Sequence, residues 1–205
     1  MKNPTLYYFH DPMCSWCWAF KPQWDLLCAN IPPAIDVDLA LGGLAPDTNE
    51  PMPPTLQDAI QGYWRTIQDK HGTQFNFDFW TQSEPKRSTW IACRAVIAAT
   101  LQAQEHAMIK AIQEAYYLRA MNPSDSETLI KLAVEIGLNA EQFTAELNSE
   151  STQKKLEEQM AFTQACGVSS FPSLRLIVAE KVYEVPIDID DYQCSIDRVE
   201  QVLKG

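Results

Sequence analysis

The hydrophobic pattern near the N-terminus changes from a strand period to a helix period and back. Residues 5–9 form a short run of β-formers, which ends at His10. Apolar residues then recur three and four positions apart, at Cys17, Phe20, Trp24 and Leu27. Residues 35–41 alternate apolar and polar side chains over most of their length. This strand-helix-strand order favours two parallel strands joined by a right-handed crossover.

The middle of the chain is predicted to be helical. Residues 44–54 contain four prolines and form the clearest linker in the sequence. Beyond this linker a helical period predicts helices over residues 55–70, 88–103, 105–121, 125–136, 140–148 and 150–165. Strand character returns in a hairpin at 173–178 and 182–185, and a last helix follows from about 190 to 203.

The whole pattern predicts an α/β fold in which an all-helical segment interrupts a sheet. We place the sheet domain at residues 1–45 and 166–205 and the helical insert at 46–165. The chain has 205 residues, of which 46% are hydrophobic. That size is sufficient for one buried core, or for a core with one inserted subdomain.

Charge and hydropathy narrow the function classes. The net charge of −11 argues against nucleic-acid binding, which needs clustered Lys and Arg, and against docking on an anionic membrane. No apolar run approaches the roughly 18 residues that a membrane span requires. The first strand begins so early that no signal peptide fits before it, so we expect a cytoplasmic protein.

The cysteine spacing directs attention to one pair. Six cysteines occur, at positions 14, 17, 28, 93, 166 and 194. Only Cys14 and Cys17 are close in sequence, and the three histidines are too scattered to complete a zinc site, so we expect no metal. We expect the other four cysteines to be isolated, buried and unreactive, although Cys166 is the nearest candidate for a second redox pair.

Cys14 and Cys17 lie where a strand ends and a helix begins. The unpaired N–H groups and the positive dipole end at a helix start stabilise an anion, so we expect Cys14 to be a reactive thiolate. Cys17, one turn further, is expected to lie deeper and to resolve mixed disulfides. A C-x-x-C spacing alone is weak evidence, and two core thiols are the alternative; the position at the helix start makes the redox interpretation stronger.

A proline far downstream is consistent with the same redox interpretation. Pro172 follows Phe171 at the entry to the predicted strand 173–178. Proline forfeits a ladder hydrogen bond, so it is tolerated at a strand's first residue or at an edge. A cis Phe171–Pro172 bond is a further possibility that the sequence leaves open.

These motifs together resemble the thioredoxin superfamily. The shared features are the strand, the C-x-x-C at a helix start, Pro22 within that helix, and the Phe171-Pro172 segment. The long helical insert resembles the DsbA branch, in particular the FrnE-like group, whose active-site signature is similar to the segment 11–18. The segment 88–94 is similar to part of its insert.

The resemblance implies a thioredoxin fold, with a central mixed sheet flanked by helices, and a thiol:disulfide oxidoreductase or isomerase. It further implies that Pro172 is cis and lies against the dithiol, where Phe171 offers its backbone to a substrate strand. Ser15 and Trp16, between the cysteines, would also contact substrate. Many FrnE-like proteins have Pro-Trp at these two positions, and the effect of serine on the redox potential stays open.

The expected partners are protein or small-molecule disulfides and thiols. No cofactor beyond the redox-active cysteine pair is expected, with glutathione as a possible co-substrate. The alternative is a glutathione-dependent isomerase or transferase, similar to the hydroxychromene-carboxylate isomerases and kappa-class transferases. Those enzymes typically carry a lone serine at the reactive position, so two cysteines argue against this alternative. A non-enzymatic partner-binding protein is the third class. The oligomeric state and the direction of electron flow stay open.

Several residues near the dithiol allow two interpretations. His10 could favour a thiolate and Asp11 could oppose it or relay a proton, but we favour a turn in which Asp11 bridges backbone groups. Of the two tryptophans, we expect Trp16 to be exposed and Trp18 to be buried. The aromatic residues 64, 75, 77, 79, 80 and 90 could line a groove, but we expect them to form the core of the insert.

Overall fold

The computed structural model describes residues 3–204, which contain four strands and nine helices. The strands are β1 (Thr5–His10), β2 (Asp36–Leu41), β3 (Ser173–Val178) and β4 (Lys181–Val185). The helices are α1 (Ser15–Asn30), α2 (Pro54–His71), α3 (Phe79–Gln82), α4 (Trp90–Thr100), α5 (Glu105–Leu118), α6 (Ser126–Glu135), α7 (Ala140–Leu147), α8 (Glu150–Ala165) and α9 (Gln193–Lys204).

The four strands form one mixed sheet in the order β2-β1-β3-β4. The β1–β2 pair is parallel, as the strand-helix-strand pattern predicts, and the other two pairs are antiparallel. β1 is therefore an inner strand with neighbours on both sides, and it places its last residue, His10, in the interior. The predicted α/β fold, a mixed sheet with a helical segment between β2 and β3, is confirmed.

Helices α2 to α8 occupy the stretch in which helical periodicity was expected. Their bounds agree with the predicted bounds within about three residues, except that α3 was not predicted. This short helix spans one turn, which is too short to establish a period of 3.6 residues. Within residues 3–204, no helix has the length and apolar character needed to cross a bilayer.

The helical segment encloses an aromatic core centred on Trp64. Its ring lies 5.0 Å from Phe75 and 5.5 Å from Tyr116, measured between centroids, and it is fully buried. Of the six aromatic residues expected in this core, Trp64, Phe75 and Phe79 are buried in it, while Phe77, Trp80 and Trp90 are partly buried against it. Met13 and Ala19 from the active-site region belong to the same apolar cluster. The division into two domains stays a prediction, since this core is continuous with the active-site region.

Candidate active site

The dithiol lies at the junction of β1 and α1. Cys14 is the N-cap residue of α1, and its sulfur accepts a hydrogen bond from the backbone N–H of Cys17 at 3.4 Å. The backbone N–H of Cys14 donates to the carbonyl of Asp11 at 3.0 Å, which closes the turn before the helix. The sulfur takes the place of the side-chain oxygen that usually caps a helix. It therefore lies at the positive end of the helix dipole.

Cys17 lies deeper than Cys14. It has no exposed surface, whereas Cys14 is 6% exposed. Burial raises the pKa of the Cys17 thiol well above its ordinary value, and the adjacent Cys14 raises it further. The backbone N–H of Asp11 and the hydroxyl of Tyr8 oppose that rise, because both stabilise a thiolate on Cys17. Both cysteines are free thiols in this structure.

The segment before β3 closes the site from the opposite side. The Phe171–Pro172 peptide bond is cis, and the Cys14 thiol donates to the Phe171 carbonyl at 3.5 Å. Both residues of this segment are half-buried. The Phe171 ring covers Gly42 so closely that a Cβ on Gly42 would overlap the ring. The fold therefore brings Phe171 and Pro172 to the dithiol, and Gly42 is a neighbour that the sequence analysis missed.

The two residues between the cysteines lie at the surface of the site. Ser15 is the first residue of α1, and both Ser15 and Trp16 are half-buried. The edge of the Trp16 ring meets His71, with centroids 6.0 Å apart. His71 in turn contacts Asp190 through Nδ1 at 3.0 Å. The surface next to Cys14 therefore combines an indole with a histidine–aspartate pair from two distant segments.

The expectation that Trp16 is exposed and Trp18 is buried is wrong, because both are half-buried. Trp18 stacks on Tyr117 with centroids 5.6 Å apart and donates from Nε1 to the carbonyl of Gln74 at 3.1 Å. The physical reason is that the helical segment packs beside α1 and covers one side of each indole. Sequence periodicity along α1 contains no information about that neighbour.

Asp11 bridges backbone groups, as expected, but it also binds the helical segment. Its carboxylate accepts from the backbone N–H of Met13 at 2.8 Å and from the Thr89 hydroxyl at 2.7 Å. The Cys93 thiol lies 3.6 Å from the same carboxylate. Thr89 and Cys93 were not identified as site residues. The only sequence signal was their place in the segment 88–94, which resembles the insert of related proteins.

A cavity of about 320 Å³ lies behind Cys17. Tyr8, His10 and Gln113 line it, and His106 lies at its edge. Both ring nitrogens of His10 and Oε1 of Gln113 are buried without a hydrogen-bond partner in the described residues. Burial, together with His106, lowers the pKa of His10 to about 4. His10 is therefore a neutral imidazole at neutral pH, which excludes the thiolate-stabilising imidazolium considered from sequence.

The remaining four cysteines lie in different environments. Cys93 and Cys166 are buried, as expected. Cys28 is exposed on α1 and Cys194 is half-buried, so the expectation of burial is wrong for these two. Cys28 lies in α1 and Cys194 in α9. The spacing of apolar residues along these helices did not indicate that either cysteine reaches solvent. Among residues 3–204, no three His, Cys, Asp or Glu side chains gather as they would in a metal site.

Comparison with known protein families identifies the fold. A family model described as "Thioredoxin" matches residues 7–197. The chain is also similar to a protein from Nitrosomonas europaea that is provisionally described as a protein disulfide isomerase. The two share 25% identity and a TM-score of 0.86, over 99% of this chain and 98% of that protein. The cytosolic disulfide reductase DsbM from Pseudomonas aeruginosa has the same fold, with a TM-score of 0.75 and 24% identity over 98% and 97% of the two chains.

Among curated proteins, the chain is similar to the ClpXP adapter protein SpxH of Bacillus subtilis. The identity is 26% over 177 residues, which cover 84% of this chain and 58% of SpxH. SpxH of Halalkalibacterium halodurans is 25% identical over 178 residues, with the same shares covered. The chain therefore spans less than two thirds of the length of these relatives.

Proposed function

The chain belongs to the thioredoxin family, with the fold of its DsbA-like oxidoreductases, and on this basis we propose that Cys14 and Cys17 catalyse thiol:disulfide exchange. One observation carries the proposal. The Cys14 sulfur lies at the N-terminus of α1, within hydrogen-bond distance of both the Cys17 N–H and the Phe171 carbonyl. The nucleophile, the resolving thiol and a backbone segment able to hold substrate therefore meet at one point.

The proposed reaction has two exchange steps. The thiolate of Cys14 attacks one sulfur of a substrate disulfide, forms a mixed disulfide and releases the other substrate sulfur as a thiolate. Cys17 then gives up its proton and attacks the Cys14 sulfur, which forms the Cys14–Cys17 disulfide and releases the second substrate thiolate. Two electrons pass from the cysteine pair to the substrate. With a thiol such as glutathione as electron donor, the same steps in reverse restore the pair.

The burial of Cys17 favours isomerisation within this chemistry. Because Cys17 is fully buried and its pKa is raised, we expect the second step to be slower than it would be with an exposed thiol. A mixed disulfide on Cys14 then persists long enough for another thiol of the substrate to attack it, and the substrate exchanges one disulfide for another. We therefore propose an isomerase-like activity on protein disulfides, in the cytoplasm, with glutathione as the small-molecule partner.

Four residues are proposed to contact the substrate. Phe171 and Pro172 would hold an extended substrate segment beside Cys14 by strand addition, since the Phe171 carbonyl lies next to the thiol. Trp16 and Ser15 would form the opposite wall. The glutathione-dependent isomerase or transferase alternative is less well supported, because it uses one reactive position and leaves the paired thiol at position 17 without a role.

A partner-binding role is the second candidate, because the curated relatives are named ClpXP adapters. An adapter needs a surface for its partners and does not need turnover by the cysteines. The two candidates therefore differ in their dependence on Cys14.

The test measures insulin reduction and the recovery of a scrambled-disulfide protein, both in a glutathione buffer. We expect Cys14→Ala to abolish both activities. Cys17→Ala should lose most of the insulin reduction, which needs the resolving thiol, and keep part of the recovery of the scrambled protein, which needs only Cys14. It should also accumulate mixed disulfides on Cys14, visible on non-reducing gels. Cys28→Ala is the matched control, because this exposed cysteine lies on the same helix, and its activity should equal that of the wild type. Full turnover by Cys14→Ala would contradict the proposed role of Cys14, whereas an absence of turnover in the wild type would favour the partner-binding role.

A further inference from the structure

Asp11 is a buried carboxylate that receives donors from three separate segments. Its side chain has no exposed surface. One oxygen accepts from the N–H of Met13 at 2.8 Å; the other accepts from the N–H of Leu44 at 2.8 Å and from the Thr89 hydroxyl at 2.7 Å. The Cys93 thiol donates to that second oxygen at 3.6 Å. A buried anion with this set of donors is stabilised in one orientation, since each donor is directional.

The backbone of Asp11 holds the turn that carries both redox cysteines. Its carbonyl accepts from the N–H of Cys14 at 3.0 Å, and the N–H of Cys17 donates to the Cys14 sulfur at 3.4 Å. The Asp11 N–H also opposes the rise that burial causes in the pKa of the Cys17 thiol. Any movement of Asp11 therefore moves Cys14 and, with it, the hydrogen bond between the two cysteines.

Thr89 connects this residue to the helical segment. It immediately precedes α4 and has no exposed surface. Its hydroxyl donates to Asp11 and accepts from the N–H of Ala45 at 3.0 Å, while its own N–H donates to the Ala45 carbonyl at 3.0 Å. The hydroxyl both donates and accepts a hydrogen bond, which fixes its orientation. The linker after β2 and the start of α4 are thereby joined to the dithiol turn.

We propose that Asp11 is a positioning residue through which the helical segment sets the placement of the Cys14 and Cys17 sulfurs, and thereby the equilibrium between dithiol and disulfide. The inference builds on the proposed function, since it concerns the redox reaction of that pair. A disulfide requires a narrow range of distances and angles, whereas two thiols do not. Interactions that fix the turn therefore act unequally on the two redox states.

The experiment removes the Thr89 hydroxyl while Asp11 and the cysteines stay in place. The equilibrium constant of the Cys14/Cys17 pair is measured in glutathione buffers for the wild type, Thr89→Val and Thr89→Ser. A hydrogen bond to a buried charge is strong, so we expect Thr89→Val to shift the constant by about fivefold or more. Thr89→Ser retains the hydroxyl, so its equilibrium constant should lie within about twofold of the wild-type value.

Two further variants rank the contacts of Asp11 by their expected effect on the equilibrium constant. Asp11→Asn places an amide N–H2 against one of the donors and removes the negative charge, so it should shift the constant by about tenfold or more. Cys93→Ala removes only a weak thiol donor and should shift it by about twofold or less. Melting temperatures are measured for the reduced and oxidised forms of each variant. A positioning role changes the difference between the two melting temperatures, because the redox equilibrium and the two stabilities are thermodynamically linked.

Two results would overturn the inference. One is an unchanged equilibrium constant in Thr89→Val; the other is an equal fall in both melting temperatures, which indicates a purely structural role. If Asp11→Asn does not fold, Thr89→Val decides alone. The proposed function fails separately, through an absence of turnover in the wild type, and the equilibrium constant can still be measured in that case.

Discussion

The dithiol turn and the aromatic core around Trp64 are both buried, but they are held by different forces. In the turn, Asp11 accepts directional hydrogen bonds from Met13, Leu44 and Thr89. In the core, Trp64 is surrounded by other rings, and its Nε1 has no hydrogen-bond partner within residues 3–204. Changes in the core should therefore alter the stability of the whole protein, whereas changes in the turn should alter the reactivity of the cysteines.

Trp64→Ala tests the core side of this comparison and should have the largest effect. Truncating a fully buried tryptophan removes apolar contacts and leaves a cavity, so we expect a loss of about 3–5 kcal/mol in the free energy of unfolding. The glutathione equilibrium of the dithiol should stay unchanged in the folded variant. Urea unfolding and the redox titration measure the two quantities.

Tyr63→Ala is the matched control, because Tyr63 is the preceding residue of α2 and is 53% exposed. Its free energy of unfolding should stay within about 0.5 kcal/mol of the wild type. Should Trp64→Ala shift the redox equilibrium as strongly as Thr89→Val does, the proposed difference between the two regions would be wrong. Trp64→Phe provides a milder truncation for the same comparison.

The pH dependence of stability tests the environment of His10, the buried residue that precedes Asp11 in the chain. Burial lowers its pKa from 6.5 to about 4, so the folded protein resists a proton that the unfolded chain accepts. As pH falls from about 6.5 to about 4, the unfolded state binds more protons and stability decreases. At about 1.4 kcal/mol per pKa unit, this one group contributes a loss of about 3 kcal/mol across that window.

His10→Phe should remove this part of the acid destabilisation while keeping an aromatic ring against Tyr8, on which His10 stacks at 5.0 Å. The measurement is urea unfolding at pH 7 and pH 4 for both proteins. His106→Gln is the control, because this exposed histidine should leave most of the pH dependence in place. Identical acid sensitivity in His10→Phe and the wild type would mean that His10 is not buried as a neutral ring.

Gly42→Ala tests the turn side and should have the smallest effect on free energy. A methyl group at Gly42 would overlap the Phe171 ring, so the ring must move, and we expect this to displace the Phe171 carbonyl that lies 3.5 Å from the Cys14 sulfur. We expect turnover of a disulfide substrate to fall about tenfold, which corresponds to about 1.4 kcal/mol in the barrier. Stability should change little, because the displaced ring is only half-buried.

Gly62→Ala is the matched substitution, since Gly62 lies in α2 with open space where its Cβ would be. It should leave turnover unchanged and stabilise the helix by about 0.5–1 kcal/mol. Equal turnover of Gly42→Ala and Gly62→Ala would indicate that the position of Phe171 does not matter for catalysis.

Local patterns predicted most of the helices and strands. The alternation over residues 35–41 identified β2 to within one residue, and the spacing of apolar residues identified α5 and α8. The position of Cys14 and Cys17 at a strand–helix junction also followed from local pattern. The exposure of Trp16 and Trp18 did not, because it depends on which other helix lies beside α1.

The sequence by itself determined most of the order of the elements and the place of the two cysteines at the start of α1. It could do so because each of these depends on residues within one or two turns of one another. Only the tertiary structure decided that Phe171 meets Cys14 across 157 positions and that Thr89 meets Asp11 across 78. Contacts between such distant positions depend on how the sheet and the helical segment pack together, and hydrophobic periodicity does not encode that geometry.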